Sequence, residues 1–306
     1  MKKLIIFFLV LMLTASLSAA VSAGTITDPE QLAFPLGFKM GANAFTGDVY
    51  FSQMIQTDDV YHFPATNNII FSPSARSHWH THGGMIILGT GGVGYYQAES
   101  ELVQVIHEGD VVEIPAGVRH WHGAAPDSWF SQMVIYDSGY VNEDGAVEEI
   151  VTDDYYRSLQ AEDSAVEGDD GFMFKKASVP FISDNFSGNA WVSNIIGGNN
   201  AAGAPGLHYV IFDNGVINNW HIHEGGQILI ATDGIGYHQI EGQPVEILHP
   251  GDVAYCPPGV MHWHGGSADT QFAHIAVNAN PELTGLTWLG RISEEEYAML
   301  NTTKEK

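Results

Sequence analysis

The chain has 306 residues, with 11 basic against 36 acidic side chains for a net charge of −25, and a single cysteine, Cys256. Such a balance repels phosphate backbones and anionic membrane surfaces, which excludes nucleic acid as a partner, and one cysteine excludes an internal disulfide. The acidity comes from scarce Lys and Arg rather than from acidic blocks, a pattern that favours solubility.

Residues 1–23 carry Lys2 and Lys3, an apolar run over 4–13 and small residues ending Val21-Ser22-Ala23. That is the pattern of a secretory signal peptide, so cleavage is expected before Gly24 and the protein is expected to be exported, periplasmic or secreted. The run is short for a bilayer span, and no cysteine near the cleavage site offers a lipid attachment, so no membrane anchor is expected. Losing Lys2 and Lys3 leaves 9 basic against 36 acidic residues, a balance of −27.

Sliding the chain against itself by about 142 residues exposes an internal duplication. Phe45-Thr46-Gly47 meets Phe186-Ser187-Gly188, Trp79-His80-Thr81-His82 meets Trp220-His221-Ile222-His223, and the stretch 115–123 meets 257–265. Two domains are expected, over 34–160 and 172–301, joined by an acidic linker over 161–171. Short β-branched or aromatic runs punctuated by Gly, Pro and Asp-Gly turns, such as Ile228-Leu229-Ile230-Ala231 before Thr232-Asp233-Gly234, predict an all-β antiparallel sandwich or barrel in each copy. Helices are expected only at the copy ends. Thr152 would cap one, and Ser293 with Glu296 has the capping-box pattern for the other.

Chemistry concentrates in the second copy. Residues i and i+2 of a strand share a face, so His221 and His223 project side by side. Gln227 follows a Gly-Gly turn with an amide oxygen, and His262 opens a later strand after Pro257-Pro258-Gly259. Four neutral N/O donors can therefore converge on one ion.

His-x-His followed by Gln, then Gly251, five residues, Pro257-x-Gly259, two residues and His262, resembles the paired motifs of the cupin superfamily, double-stranded β-helix jelly-roll barrels that hold a divalent metal. Two copies make the chain similar to a bicupin. Phe-Thr-Gly, Trp-His-x-His with Gln, Pro-Gly-Asp-Val, Pro-Gly-x-x-His-Trp-His-Gly and a closing Glu-Glu-Tyr helix bring each repeat close to the small manganese-dependent cupin-type hydroxynitrile lyases. The resemblance implies His221, His223, Gln227 and His262 as metal ligands, with Mn the expected metal and Fe, Ni, Zn or Cu as alternatives. It implies His264 and His274 as pocket histidines that are either catalytic or hydrogen-bonded core residues. Association with a second copy through sheet edges is a further family habit, and the partner implied is a small-molecule substrate.

The first copy departs from this pattern. His80, His82, His120 and His122 are present, but Gly83-Gly84-Met85 is one residue shorter and places Met where Gln is expected, and Gln132 stands opposite His274. Its site 1 would either rest on His80, His82 and His120 alone or hold no metal. Three His and one Gln add no negative charge, so a bound M²⁺ would keep its full charge as a Lewis acid. Three readings follow: a lyase acting on a small hydroxylated substrate such as a cyanohydrin, a dioxygenase of phenolic substrates, and a non-catalytic binding protein.

Overall fold

The computed structural model describes residues 24–41, 43–137, 149–159, 161 and 171–302. The signal-peptide expectation over 1–23 and most of the 161–171 linker lie outside the described residues. Among the described residues, no helix is long and apolar enough to cross a membrane.

The expected all-β architecture is what forms, and it forms twice. In the first half a six-stranded sheet runs in the order Phe38–Lys39, Val49–Ile55, Thr66–Phe71, Phe130–Tyr136, Met85–Gly92, Val111–Ile114. It faces a five-stranded sheet ordered Phe45–Thr46, Arg76–Ser77, His120–Ala124, Gly94–Ala98, Gln104–Ile106. The second half repeats the plan. One sheet runs Ala190–Ile196, Leu207–Phe212, Phe272–Asn278, Gln227–Gly234, Val253–Cys256, and the other Glu246–Leu248, Gly236–Ile240, Met261–Gly266, His221–His223, Leu286–Trp288. Every pairing between these strands is antiparallel.

The central strands read as unbroken apolar runs because both their faces are covered. Successive side chains of a strand point opposite ways. Thus Met85 and Ile87 enter the core of the first barrel, whereas Ile86 and Leu88 join a second core shared with the other half. Leu229 and Ala231 likewise fill the second barrel, while Ile228 and Ile230 meet Ile86 and Leu88 in the shared core. The two large sheets therefore pack face to face. Tyr255 Oη donates to the Met54 carbonyl at 2.6 Å and Phe63 N–H to the Ala279 carbonyl at 2.8 Å across this seam.

The helices fall where their caps predict. Thr152 accepts from Tyr155 N–H at the start of Asp153–Ser158. Ser293 Oγ accepts from Glu296 N–H at 3.1 Å while Glu296 Oε2 accepts from Ser293 N–H at 2.8 Å, a reciprocal cap for Glu294–Thr302. Arg76 ties the first helix down: its guanidinium donates to the Val151 carbonyl and to Asp153 Oδ1 at 2.6 Å, and lies 4.6 Å from the Tyr156 ring centre.

The duplication extends to backbone conformation. Gly92 (φ +73°) and Gly234 (φ +68°) end equivalent strands, and a Cβ at either would collide with a carbonyl oxygen, that of Trp129 or of Gln271. Gly234→Ala combines a left-handed backbone with a backbone clash, and is expected to cost at least about 1–3 kcal/mol. Urea unfolding checks this, and an unchanged midpoint would contradict the assigned conformation.

Candidate metal centres

Each barrel gathers a cluster of histidines, and backbone carbonyls decide which nitrogen of a ring carries the hydrogen. In the first barrel His80 Nδ1 lies 2.8 Å from the His78 carbonyl, His82 Nδ1 2.6 Å from the Gly83 carbonyl and His120 Nδ1 2.9 Å from the Val118 carbonyl. A carbonyl only accepts, so each Nδ1 carries the hydrogen and each Nε2 is left with a lone pair. The rings are close: 4.3 Å between the centres of His80 and His120, 4.8 Å for His82 and His120, and 5.2 Å for His80 and His82. His120 Nε2 is buried with no hydrogen-bond partner. An orphaned lone pair inside a histidine cluster is what a bound cation would satisfy, so the donors fit a metal.

The second barrel repeats the device at His221, whereas at His262 an amide oxygen faces Nε2. His221 Nδ1 is 2.9 Å from the Asn219 carbonyl and His262 Nδ1 is 3.3 Å from that of Val260. Directly opposed residues on antiparallel strands share a face, and His221 pairs with His262, their ring centres 4.1 Å apart. His223 stands 5.1 Å from His221 and 5.7 Å from His262. Gln227 Oε1 is 2.9 Å from His262 Nε2. His221, Gln227 and His262 are thus brought together, with His223 beside them.

The ring nitrogens of His221, His262 and His264 also lie all within 4.8 Å of one another; the corresponding set in the first barrel is His80, His120 and His122. Both sets contain histidine alone, with no carboxylate. Burial makes the rings poor bases. It pulls His221 and His223 down to about 4, and His262, helped by the neighbouring His221, to about 2. At neutral pH they are uncharged imidazoles ready to donate lone pairs.

Met85 takes the position of Gln227. Met85 pairs with Ile114 and Tyr136, Gln227 with Cys256 and Asn278, at matching places in the two sheets. Met85 helps line a cavity of about 150 Å³ with His78, His80, His82, His122, Phe45 and Tyr136. His78 belongs to the wall and lies 3.3 Å from Thr46 Oγ1. A thioether is a weak, soft ligand, so the first site is three imidazoles without a matched oxygen donor.

His264 and His274 sit deeper, their ring centres 5.0 Å apart, against Phe212 at 5.5 and 5.9 Å. Phe272 stacks on His274 at 5.2 Å. Asn218, which the sequence pattern did not flag, sets the His264 tautomer. Its Oδ1 accepts from the His264 backbone N–H at 2.9 Å, so its Nδ2 faces His264 Nε2 at 3.0 Å and donates to it. The His264 hydrogen is thereby placed on Nδ1, which is buried without a partner. His264 thus offers an N–H donor. In the first barrel Ser77 takes the place of Asn218, its Oγ accepting from the His122 backbone N–H at 3.1 Å, while Gln132, the counterpart of His274, lies 3.0 Å from His122 Nδ1. Cys256 also escaped the sequence pattern: its thiol, pushed up to about 12 by burial, lies 2.9 Å from His262 Nδ1.

Two jelly-roll halves, each closing around a histidine cluster with an acid-free donor set, define a double β-barrel protein with histidine groups able to hold a metal ion. A cupin-domain family model matches residues 208–277. Over 88 residues the chain is 40% identical to an (R)-mandelonitrile lyase of Granulicella tundricola, covering 29% of this chain and 67% of that protein. A cupin-like protein from Thermotoga maritima is also 40% identical, with 44% of this chain and 98% of that one covered and a TM-score of 0.39. Oxalate decarboxylase from Bacillus subtilis shares the fold at 14% identity over 89% of this chain and 86% of that one, with a TM-score of 0.52. The chain belongs to the cupin family.

Proposed function

We propose that this is an exported bicupin whose second barrel is a manganese-dependent lyase acting on a small hydroxylated substrate, with a cyanohydrin the best candidate. The repeats would span 34–160 and 172–301, joined by the linker over 161–171. The observation that carries the reading is the donor set of the second barrel: His221, His223, Gln227 and His262, all neutral, beside the N–H donor His264. Identity with the mandelonitrile lyase over one repeat supports the substrate class.

A divalent ion held by these four donors supplies Lewis acidity toward a substrate oxygen, undiminished by any anionic ligand. The chain's own groups do the rest. Phe212, Phe272 and Trp288, whose ring lies 4.8 Å from His221, set apolar rings against the histidines and would keep water away from the reacting atoms. The hydroxyl proton passes to a neutral imidazole, the C–C bond opens to a carbonyl, and the proton leaves on cyanide. His264 Nδ1–H would donate to the departing group, and His274 would complete the histidine wall behind it.

Unequal metal occupancy follows from the two donor sets. One tight ion per chain is expected, in the second barrel, with weak occupancy of His80, His82 and His120. Elemental analysis of His221→Ala beside His80→Ala tests this. The first should lose the tight ion and the second should keep it; equal loss in both would mean that the first site has been wrongly ranked below the second.

A further inference from the structure

The donor set and the histidine wall leave one buried histidine of the second barrel without a role. His238 lies in the strand Gly236–Ile240, opposite Glu246 on one neighbour and opposite His264 on the other. Opposed residues share a face, so His238 points into the barrel with His264. It is 1% exposed and its ring centre is 5.6 Å from that of His262. Its Nδ1 is 2.7 Å from Glu246 Oε2. A carboxylate accepts, so Nδ1 holds the hydrogen and Nε2 keeps a lone pair; that Nε2 is buried with no hydrogen-bond partner.

A purely structural histidine would have both nitrogens satisfied. The duplicated fold does not require this one either, since the first barrel has Tyr96 at the same register position, opposite His122. Its neighbour His264 is no substitute as an acceptor, because His264 Nε2 already receives a hydrogen bond from Asn218 and its Nδ1 carries the proton. Both nitrogens of His274 lack partners, so no hydrogen bond selects one of them as an acceptor.

We propose that His238, oriented by Glu246, is the group that accepts the hydrogen of the substrate hydroxyl in the second barrel. For its substrate this rests on the lyase reading; for its direction it rests on the hydrogen bonds alone. The step balances within the substrate. The O–H proton moves to His238 Nε2, its electron pair forms the carbonyl, the bond to the nitrile carbon breaks with its pair leaving on cyanide, and the proton is returned to give hydrogen cyanide. Glu246, 58% exposed at the sheet edge, holds the transient imidazolium as a charge partner.

Nitrogen NMR of labelled, zinc-loaded protein reads the tautomer directly, with benzyl alcohol as a hydroxyl probe that has no cyanide to lose. His238 Nε2 should resonate as an unprotonated nitrogen and shift on addition of benzyl alcohol. Glu246→Ala should abolish that shift and slow kcat for mandelonitrile about 10–100-fold, with KM and metal content unchanged. Glu246→Gln, whose amide oxygen still accepts from Nδ1, should restore most of it. His238→Phe should retain metal and lose roughly 10²–10⁴-fold in kcat. A protonated Nε2 in the wild type, an Nε2 signal indifferent to benzyl alcohol, or full turnover by His238→Phe would overturn the assignment. If the wild type cleaves no cyanohydrin, the lyase reading falls, and the nitrogen signal still decides whether His238 is a hydroxyl acceptor.

Discussion

His262→Ala is expected to remove the tight metal ion and all metal-dependent turnover while leaving the fold assembled. His262 lies at the middle of the second site's contacts: His221 at 4.1 Å between ring centres, Gln227 Oε1 at 2.9 Å and the Cys256 thiol at 2.9 Å. Losing an outer partner of a ligand costs about 10–100-fold in metal affinity, and losing the ligand itself should cost more, on the order of 10³-fold. His120→Ala, the matching change in the first barrel, should leave the tight ion and the turnover near wild type. Titration of metal-depleted protein with Mn²⁺ gives both affinities. Tight binding retained by His262→Ala would move the site elsewhere.

The second large effect is loss of stability in acid once the metal is removed. His221 and His223 have folded-state values near 4, against an ordinary value of 6.5, because burial disfavours their charged forms. The unfolded chain therefore binds more protons than the folded one between these values, and stability falls as pH drops from 6.5 to 4. Each ring contributes on the order of 3 kcal/mol over that interval. Together they would remove several kcal/mol from a total that is typically about 5–15 kcal/mol. His274, at about 3, and His262 and His120, at about 2, extend the loss below pH 4. Above pH 7 these groups contribute no further gain. Urea unfolding in the presence of a chelator at pH 7, 6 and 5 checks the slope, and a flat midpoint would mean that the rings are not buried as uncharged groups.

The duplication, the strand punctuation and the donor histidines were legible in the sequence because each leaves a local signature: a matched motif, a Gly or Pro turn, a His-x-His spacing. Met85 in place of Gln227 was legible for the same reason, and the sheet register puts the two residues at matching positions. What escaped was determined by pairing at a distance. The run Met85-Ile86-Ile87-Leu88 does not say that its second face is covered by Ile228 and Ile230 of the other half; only the packed sheets show it. His238 carries no motif in the sequence, since its partner Glu246 lies eight positions on and its barrel neighbour His264 twenty-six. Asn218 and Cys256 carry no motif, yet one selects the His264 tautomer and the other lies against a donor histidine.

Cyanide release from mandelonitrile by manganese-loaded protein, with Gln227→Glu measured beside the wild type, tests the central claim most directly. Glutamate keeps the shape of Gln227 and adds a negative ligand, so the ion should stay bound while its Lewis acidity drops. Cyanide is expected from the wild type, with markedly slower release from Gln227→Glu at equal metal content. No cyanide from any cyanohydrin, with oxygen consumed on a phenolic substrate and uptake undiminished in Gln227→Glu, would contradict that claim.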